Sequence, residues 1–422
     1  MFPCIKIIDP QTFGFRGIRM NILFISLLKI DSIEEHGLYN DLLREFAKNS
    51  HKITVVSPVE RRTGRKTEYR SEGQVSFMNV RIGNIQKTNY IEKGISTLLL
   101  GSQLQRAIGK YCKNEKFDLI LYATPPITIC GLVNKIKKKT KAKTFLMLKD
   151  IWPQEMVDLG IITTKSPLYA YFRGMEKKLY RVSDFIGCTS PANISYLVEH
   201  NPEVDRAKIV QVNNSVDISY PIEQSADRNA MCEKYGLDPD AKIFFYGGNL
   251  GQPQGIDHII ECLKKQVGKK DRFFAICGGG TGYKLLESFF EEYSPNNMKL
   301  IPYLPKKEYD SLVAASDVGL VFLNHRFTVP NCPSRLYTYM EYGKPAFACT
   351  DSATDIKDDI QKGEFGWWCE SSSVEAFEDI VDSICECDSE TLKEYGKRGR
   401  KYLEENFAVT KDYETIIECI KK

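Results

Sequence analysis

Short unbroken apolar runs alternate along this chain with longer stretches in which apolar positions recur every three or four residues. Met20-Asn-Ile-Leu-Phe-Ile-Ser opens the series, and such runs predict strands buried on both faces of a parallel sheet. Strands are expected at 21–28, 52–57, 75–82, 118–122, 144–148 and 185–188. Helical patterns fall between them at 37–49, 96–112, 127–138 and 166–182. Residues 60–73 are polar and basic without periodicity and are expected to form an exposed loop. Strands separated by helical patterns argue βαβ units, with helices on both faces of the sheet.

The pattern then restarts. After 209–212 comes a polar segment, 213–229, read as an interdomain linker. Strands follow at 242–246, 273–277, 299–301, 318–322 and 346–349, with helices at 256–266, 283–292, 306–315 and 334–342, and 371–422 is helical. The expected fold class is α/β, two tandem doubly wound Rossmann-like domains with a cleft between them as the site. The expected divisions are an extension over 1–19, a first domain over 20–215, a second over 216–405 and a final helix over 406–422.

Composition agrees with two globular cores. The chain has 422 residues, 42% hydrophobic and 27% charged, which excludes disordered and collagen-like classes. No apolar stretch approaches the roughly 20 residues of a membrane-spanning helix. Met1-Phe-Pro-Cys-Ile-Lys has an early proline and no sustained apolar region, so a signal peptide is not expected. Thirteen scattered cysteines, an odd number, read as reduced cytoplasmic thiols, neither a disulfide framework nor a zinc site.

The net charge of +3 conceals an asymmetry. Residues 21–215 hold 30 Lys and Arg against 19 Asp and Glu, and residues 216–422 hold 25 against 35. A basic first half suits a polyanion or an anionic membrane face, and two differently solvated domains give the same pattern. Six lysines within 135–143, and aromatics mixed with Arg173, Lys177, Lys178 and Arg181, suit a membrane face and equally a solvated helix end and turn. No recognition motif accompanies the basic residues, so nucleic acid is not the expected partner.

Four segments are candidates for chemistry. Gly247-Gly248-Asn249-Leu250-Gly251-Gln252-Pro253-Gln254-Gly255 follows a strand and opens a helix, where glycines admit a ligand to the backbone and free N–H groups meet a phosphate. Gly278-Gly279-Gly280-Thr281-Gly282 occupies the same topological place one unit later. Neither is the dinucleotide fingerprint. Ser334 and Arg335 at a helix start offer a hydroxyl and a fixed positive charge to an anion, and equally an ordinary capped helix. Lys149-Asp150-Ile151-Trp152-Pro153-Gln154-Glu155 places Asp150 to accept a proton and Trp152 as an apolar wall, or else as a helix cap and a core residue. The five histidines are isolated, so no metal or other cofactor is expected, though His36 precedes Gly37 at the first strand–helix turn near the cleft. No Gly-x-Ser-x-Gly elbow is present.

Together, Ala123-Thr-Pro-Pro-Ile, Asp150-Ile-Trp-Pro-Gln-Glu, Gly248-Asn-Leu-Gly-Gln-Pro-Gln-Gly255 and Pro333-Ser-Arg-Leu-Tyr-Thr-Tyr-Met-Glu-Tyr-Gly-Lys-Pro345 resemble family 4 glycosyltransferases. The resemblance runs in order from about Met20 to the final helix and is strongest to the bacterial branch that builds capsule and O-antigen units, with its WbuB-type amino-sugar transferases. It implies a GT-B fold, a nucleotide-sugar donor in the second domain, an acceptor in the first, and a final helix packing back towards the first domain. It also implies transfer with retention, no bound metal, and a cytoplasmic protein peripheral to the inner face of the cell membrane.

Carried over by position, Gly248, Asn249, Gln254 and Gly255 would face the donor diphosphate, with its charge on Arg335, Ser334 and helix N-termini. Broader family members often have Arg and Lys where this chain has Asn249 and Gln254. Gly279 and the 301–304 segment would line the nucleoside pocket. Asp150 matches the branch's acceptor-side base, and His36, Gly37, Thr124, Lys149, Trp152 and Glu155 would surround the acceptor. The family's donor-ribose glutamate, second of a Glu-x7-Glu pair, is replaced by Thr338, with Pro330 at the first position. That exchanges a charge-assisted bond of roughly 1.5–3 kcal/mol for a neutral one of about 1. Glu341, one turn later, is the expected substitute. The implied reaction moves a sugar, an N-acetylhexosamine by branch, from a UDP-sugar to a polyprenyl-diphosphate-linked saccharide. A UDP-N-acetylhexosamine epimerase and a non-catalytic partner subunit, the latter prompted by Thr338, are the alternatives.

Overall fold

The computed structural model describes residues 19–86, 88–222 and 227–422. The expected 1–19 extension lies outside the described residues except for Arg19. Eight strands form the first sheet: β1 (Asn21–Ile25), β2 (Lys52–Glu60), β3 (Glu68–Glu72), β4 (Val75–Ile82), β5 (Leu119–Ala123), β6 (Lys143–Leu148), β7 (Phe185–Cys188) and β8 (Ile209–Gln211). Their spatial order is β3-β4-β2-β1-β5-β6-β7-β8, parallel except where β3 runs against β4. Six parallel strands form the second: β9 (Lys242–Asn249), β10 (Arg272–Gly279), β11 (Met298–Pro302), β12 (Val318–Phe322), β13 (Ala346–Thr350) and β14 (Gly366–Glu370), ordered β11-β10-β9-β12-β13-β14.

The twofold side-chain period of a strand explains why these segments are apolar throughout. Leu23, Ile25, Val56, Ile120 and Leu146 enter the core on one face of the first sheet. Their neighbours Ile22, Phe24, Val55, Leu121 and Phe145 enter the core on the other. In the second sheet, Phe245, Ala275 and Val321 oppose Phe244, Phe274 and Leu320 in the same way. Truncating a fully buried ring such as Phe24 to alanine costs about 3–5 kcal/mol in such a setting.

The final helix, Val409–Lys421, belongs to the first domain's core. Val409, Tyr413, Ile416 and Ile417 share a cluster with β1 and with Leu42, Leu43 and Phe46 of the helix Leu38–Lys48. The Tyr413 hydroxyl lies 3.0 Å from His51 Nε2. The chain therefore crosses between domains twice, and the two crossings pair at Val216 and Ala408.

Residues 60–73 are not a plain loop. A short 3-10 turn, Arg61–Thr63, leads into β3, an edge strand with a single antiparallel neighbour. An edge strand has one face and one ladder open to water, so polar residues suffice there, and Arg70 covers the Phe77 ring at 4.7 Å. The helix expected at 96–112 begins earlier, as Tyr90–Tyr111, because Asn89 caps it by accepting from the Glu92 N–H. Helices Pro191–His200 and Ile356–Gly363 and strand β14 are additions that periodicity did not reveal. Among the described residues, no helix is long and apolar enough to cross a membrane.

Candidate active site

On the second domain the two glycine-rich loops form one structure. Parallel register sets Gly248 beside Gly278 and Asn249 beside Gly279. A Cβ at Gly278 would sit 1.8 Å from the Gly248 carbonyl oxygen, so the strands approach this closely only without a side chain. The Leu250 N–H donates to Gly279 O at 3.0 Å, and the Gly282 N–H donates to Leu250 O at 2.8 Å. Asn249 and Gln254 hold each other, Nδ2 to Oε1 at 3.0 Å, and the Gly251 N–H donates to the same oxygen at 3.2 Å. Their amides thus shape the loop from within. Gly255, in the left-handed region at φ 69°, turns the chain into the helix Ile256–Lys264.

Arg335 begins the helix Arg335–Glu341 and lies over this loop. Its guanidinium carbon is 4.4 Å from the centre of the Tyr246 ring, and its Nη2 is 3.1 Å from where a Gly248 Cβ would be. Arg335 Nη1 is buried without a hydrogen-bond partner among the described residues. Burial works against the charge, but the hydroxyls of Tyr246 and Tyr339 hold the guanidinium pKa above its ordinary value. Tyr339 is itself fixed by donating to Phe245 O and Leu320 O, both at 3.1 Å. Ser334 is exposed and makes no side-chain cap. Thr338 is half-buried one turn on, its N–H 3.3 Å from Ser334 O. Tyr303, directly after β11, is 81% exposed at the same edge of the sheet.

Across the cleft, His36 and Gly37 follow β1, Thr124 follows β5, and the segment Lys149 to Glu155 follows β6. These are neighbouring strands, so the candidates converge at their carboxyl ends. Asp150 is half-buried, and burial raises its carboxyl to about 6 against the opposing charge of Lys149. Glu155 opens the helix Gln154–Asp158. Burial, and then the Asp150 charge, push its pKa well up, and its Oε1 is buried without a partner among the described residues. Trp152 packs edge-on against Phe172 with ring centres 4.3 Å apart. Thr124 Oγ1 accepts from the Lys149 N–H at 3.1 Å. The Lys149 ammonium is buried on Asn213 O at 2.8 Å, where burial lowers its pKa to about 8 against the nearby Asp412 carboxylate.

The structure brings together two residues that sequence reading assigned to different ligands. His36 Nε2 is 2.9 Å from Glu341 Oε1, and His36 Nδ1 is 2.9 Å from Asp41 Oδ2. Burial opposes protonation of His36, yet the flanking Asp41 and Glu341 raise its pKa to about 9. Tyr220 stacks on the imidazole at 4.8 Å, and Arg44 reaches both Asp41 at 2.7 Å and Asp217 at 3.2 Å. Asp41, Arg44, Asp217 and Tyr220 escaped the sequence reading because each looks like an ordinary polar position on a helix or linker. A second contact spans the cleft where the Thr328 N–H donates to Asp158 Oδ2 at 2.8 Å and Gln252 Nε2 donates to Leu159 O at 3.2 Å.

One wall therefore offers a half-buried cation whose buried Nη1 is unused, above a backbone stripped of side chains. The other offers a carboxylate whose pKa lies close to neutrality. Such a pair suits the stabilisation of a departing anion and the acceptance of a proton. No group of three or more His, Cys, Asp or Glu side chains among the described residues is arranged to hold a metal ion.

Comparisons with known proteins identify the family and the fold. Residues 37–220 match the family model "Glycosyltransferase Family 4", and residues 227–402 match "Glycosyl transferases group 1". The chain is 23% identical over 306 residues to a probable glycosyltransferase, WbjE, of Pseudomonas aeruginosa, covering 72% of this chain and 74% of the relative. It is 24% identical over 246 residues to the putative colanic acid biosynthesis glycosyl transferase WcaI of Escherichia coli K12, covering 57% of this chain and 59% of the relative. Its fold is similar to that of HepE from Anabaena in complex with UDP-glucose, with TM-score 0.67 at 13% identity, covering 96% of this chain and 100% of that one. WaaG, a glycosyltransferase involved in lipopolysaccharide biosynthesis, superposes with TM-score 0.65 at 12% identity, covering 94% of this chain and 99% of that one. With both family models matched in order and the paired parallel sheets of the GT-B fold in place, the chain belongs to the group 1/family 4 glycosyltransferases.

Proposed function

We propose that this glycosyltransferase moves an N-acetylhexosamine, with retention, from a UDP-sugar to a polyprenyl-diphosphate-linked saccharide during assembly of a bacterial surface polysaccharide. The observation that carries the donor side is Arg335 Nη1, buried and unspent beside the open Gly248 backbone. A diphosphate oxygen would supply the missing partner, and as UDP departs the guanidinium would hold the growing charge. Tyr303 offers a free aromatic face to the base. The neighbour HepE is described with UDP and with UDP-glucose, which supports a uridine donor. WcaI, named for colanic acid biosynthesis, supports polysaccharide assembly as the setting.

On the acceptor side, Asp150 takes the proton of the attacking hydroxyl, which approaches on the face that UDP leaves. Burial, and then the Asp150 charge, raise the Glu155 pKa, which favours its protonated form beside Asp150. The protein works at the inner membrane face, to which the first domain presents exposed Lys135, Lys138 and Lys139 and the exposed apolar side chains Ile91, Ile95, Leu98 and Leu99.

Thermal stabilisation by a panel of UDP-, GDP-, dTDP- and ADP-sugars tests the reading. A donor at 100 times its dissociation constant adds about 2.7 kcal/mol. A shift with one UDP-N-acetyl sugar that disappears in Arg335→Ala supports it. A shift with another nucleotide class reassigns the donor, and no shift at all favours the non-catalytic partner subunit.

A further inference from the structure

The second domain holds a cluster of thiols that the transfer reaction does not use. His258 and Cys262 stand one turn apart on the helix Ile256–Lys264, the element that leaves the donor loop. Cys349 and Cys369 sit opposite each other on the paired strands β13 and β14. His258 Nε2 is 3.3 Å from Cys262 Sγ and 3.4 Å from Cys349 Sγ. One ring nitrogen thus reaches both sulfurs, which brings Cys262 of the helix beside Cys349 of β13.

We propose that Cys262 and Cys349 form an oxidation site, where hydrogen peroxide converts the two thiols into a disulfide that ties the donor-loop helix to β13. His258 is half-buried, so its ring links the enclosed sulfurs to solvent and relays the proton lost from Cys262. Contact with Cys349, then with His258, favours the Cys262 thiolate at about pH 7, while Cys349 is held as the thiol. The thiolate attacks one peroxide oxygen, the O–O bond breaks, and hydroxide leaves, giving a sulfenic acid on Cys262. Cys349 sulfur then attacks that sulfur, and the sulfenic oxygen departs as water. Two thiols are oxidised, one peroxide is reduced, and two waters form. A covalent bond is shorter than the present contact, so forming it draws the helix towards β13 and disturbs the loop at its start. Donor binding is therefore weaker in the oxidised protein.

The test treats the full chain with hydrogen peroxide, alkylates remaining thiols under denaturing conditions and maps non-reduced tryptic peptides by mass spectrometry. The expected result is a Cys262–Cys349 linked peptide lighter by two hydrogens. Cys349→Ser should leave a Cys262 sulfenic acid captured by dimedone, and His258→Gln should slow oxidation about tenfold. The proposal is overturned if folded wild-type protein yields no such linkage, if the linkage joins a different pair, or if His258→Gln oxidises at the wild-type rate. Because the readout is peptide mass, failure here is distinguishable from failure of the transferase reading.

Discussion

His36 of the first domain and Glu341 of the second face each other at 2.9 Å, with the imidazole clasped on its other side by Asp41. The pair joins the turn after β1 to the helix that begins with Arg335, so that helix is positioned partly from the first domain. His36 has a pKa of about 9 in the folded protein against roughly 6.5 in an unfolded chain. Its contribution to stability is therefore complete below pH of about 6.5 and fades as pH rises through 9. Glu341→Gln should lower stability at pH 7 by about 1–3 kcal/mol and flatten its fall between pH 6.5 and 9. Urea midpoints across that range check it, and an unchanged midpoint would remove the clasp's role.

Arg335 makes a separable prediction. Arg335→Ala should reduce kcat/KM by roughly 10²–10³, the scale for losing a donor to a developing anion. Arg335→Lys should recover only part of the activity, because a lysine keeps the charge but not the planar stack on Tyr246. Steady-state kinetics with both variants decide whether the charge or its geometry matters.

Two neighbouring glycines of the second loop respond differently to a single methyl. Gly278→Ala drives a Cβ into the Gly248 carbonyl, so it should lower the melting temperature and abolish the donor-dependent shift. Gly279→Ala meets no heavy atom within 4 Å and should fold as wild type. Any loss of donor shift in that variant then reports contact with ligand.

Asp150 sets an expectation for pH. With its carboxyl raised to about 6 by burial, a base at this position is charged, and active, above that pH. The acid limb of kcat/KM should therefore fall below an apparent pKa of about 6, and Asp150→Asn should remove most activity across the range. A limb unchanged in Asp150→Asn assigns the proton acceptance to another group.

The proposed membrane attachment would use the helix Tyr90–Tyr111 and its basic neighbour, Cys130–Thr140. Ile91→Asp together with Leu98→Asp, both at exposed positions, should leave folding unchanged and weaken sedimentation with anionic vesicles. Charge reversal at Lys135, Lys138 and Lys139 should make the residual binding insensitive to salt. Equal sedimentation of wild type and both variants would place the lipid contact elsewhere.

Strands and helices, the repeat of one sheet domain after another and the convergence of candidates on strand ends were legible in the sequence, because each follows from local periodicity and connection rules. Continuous apolar runs announced β5, β7 and β12 with little error at their ends, while β1, expected over 21–28, stops at Ile25. The edge strand β3 and the helix Pro191–His200 were not legible, since neither depends on a strong apolar period. The loop residues Asn249 and Gln254 were found by position in a motif, but that each holds the other is a matter of backbone folding over five residues. What the tertiary structure alone decided is who faces whom across long separations. Glu341 was expected at the donor, and the packing of the domains sets it on His36, 305 residues away. Cys262 and Cys349 share an imidazole only because a helix lies across the paired strands. Such meetings depend on the sum of many packing contacts, which no spacing within a linear chain encodes by itself.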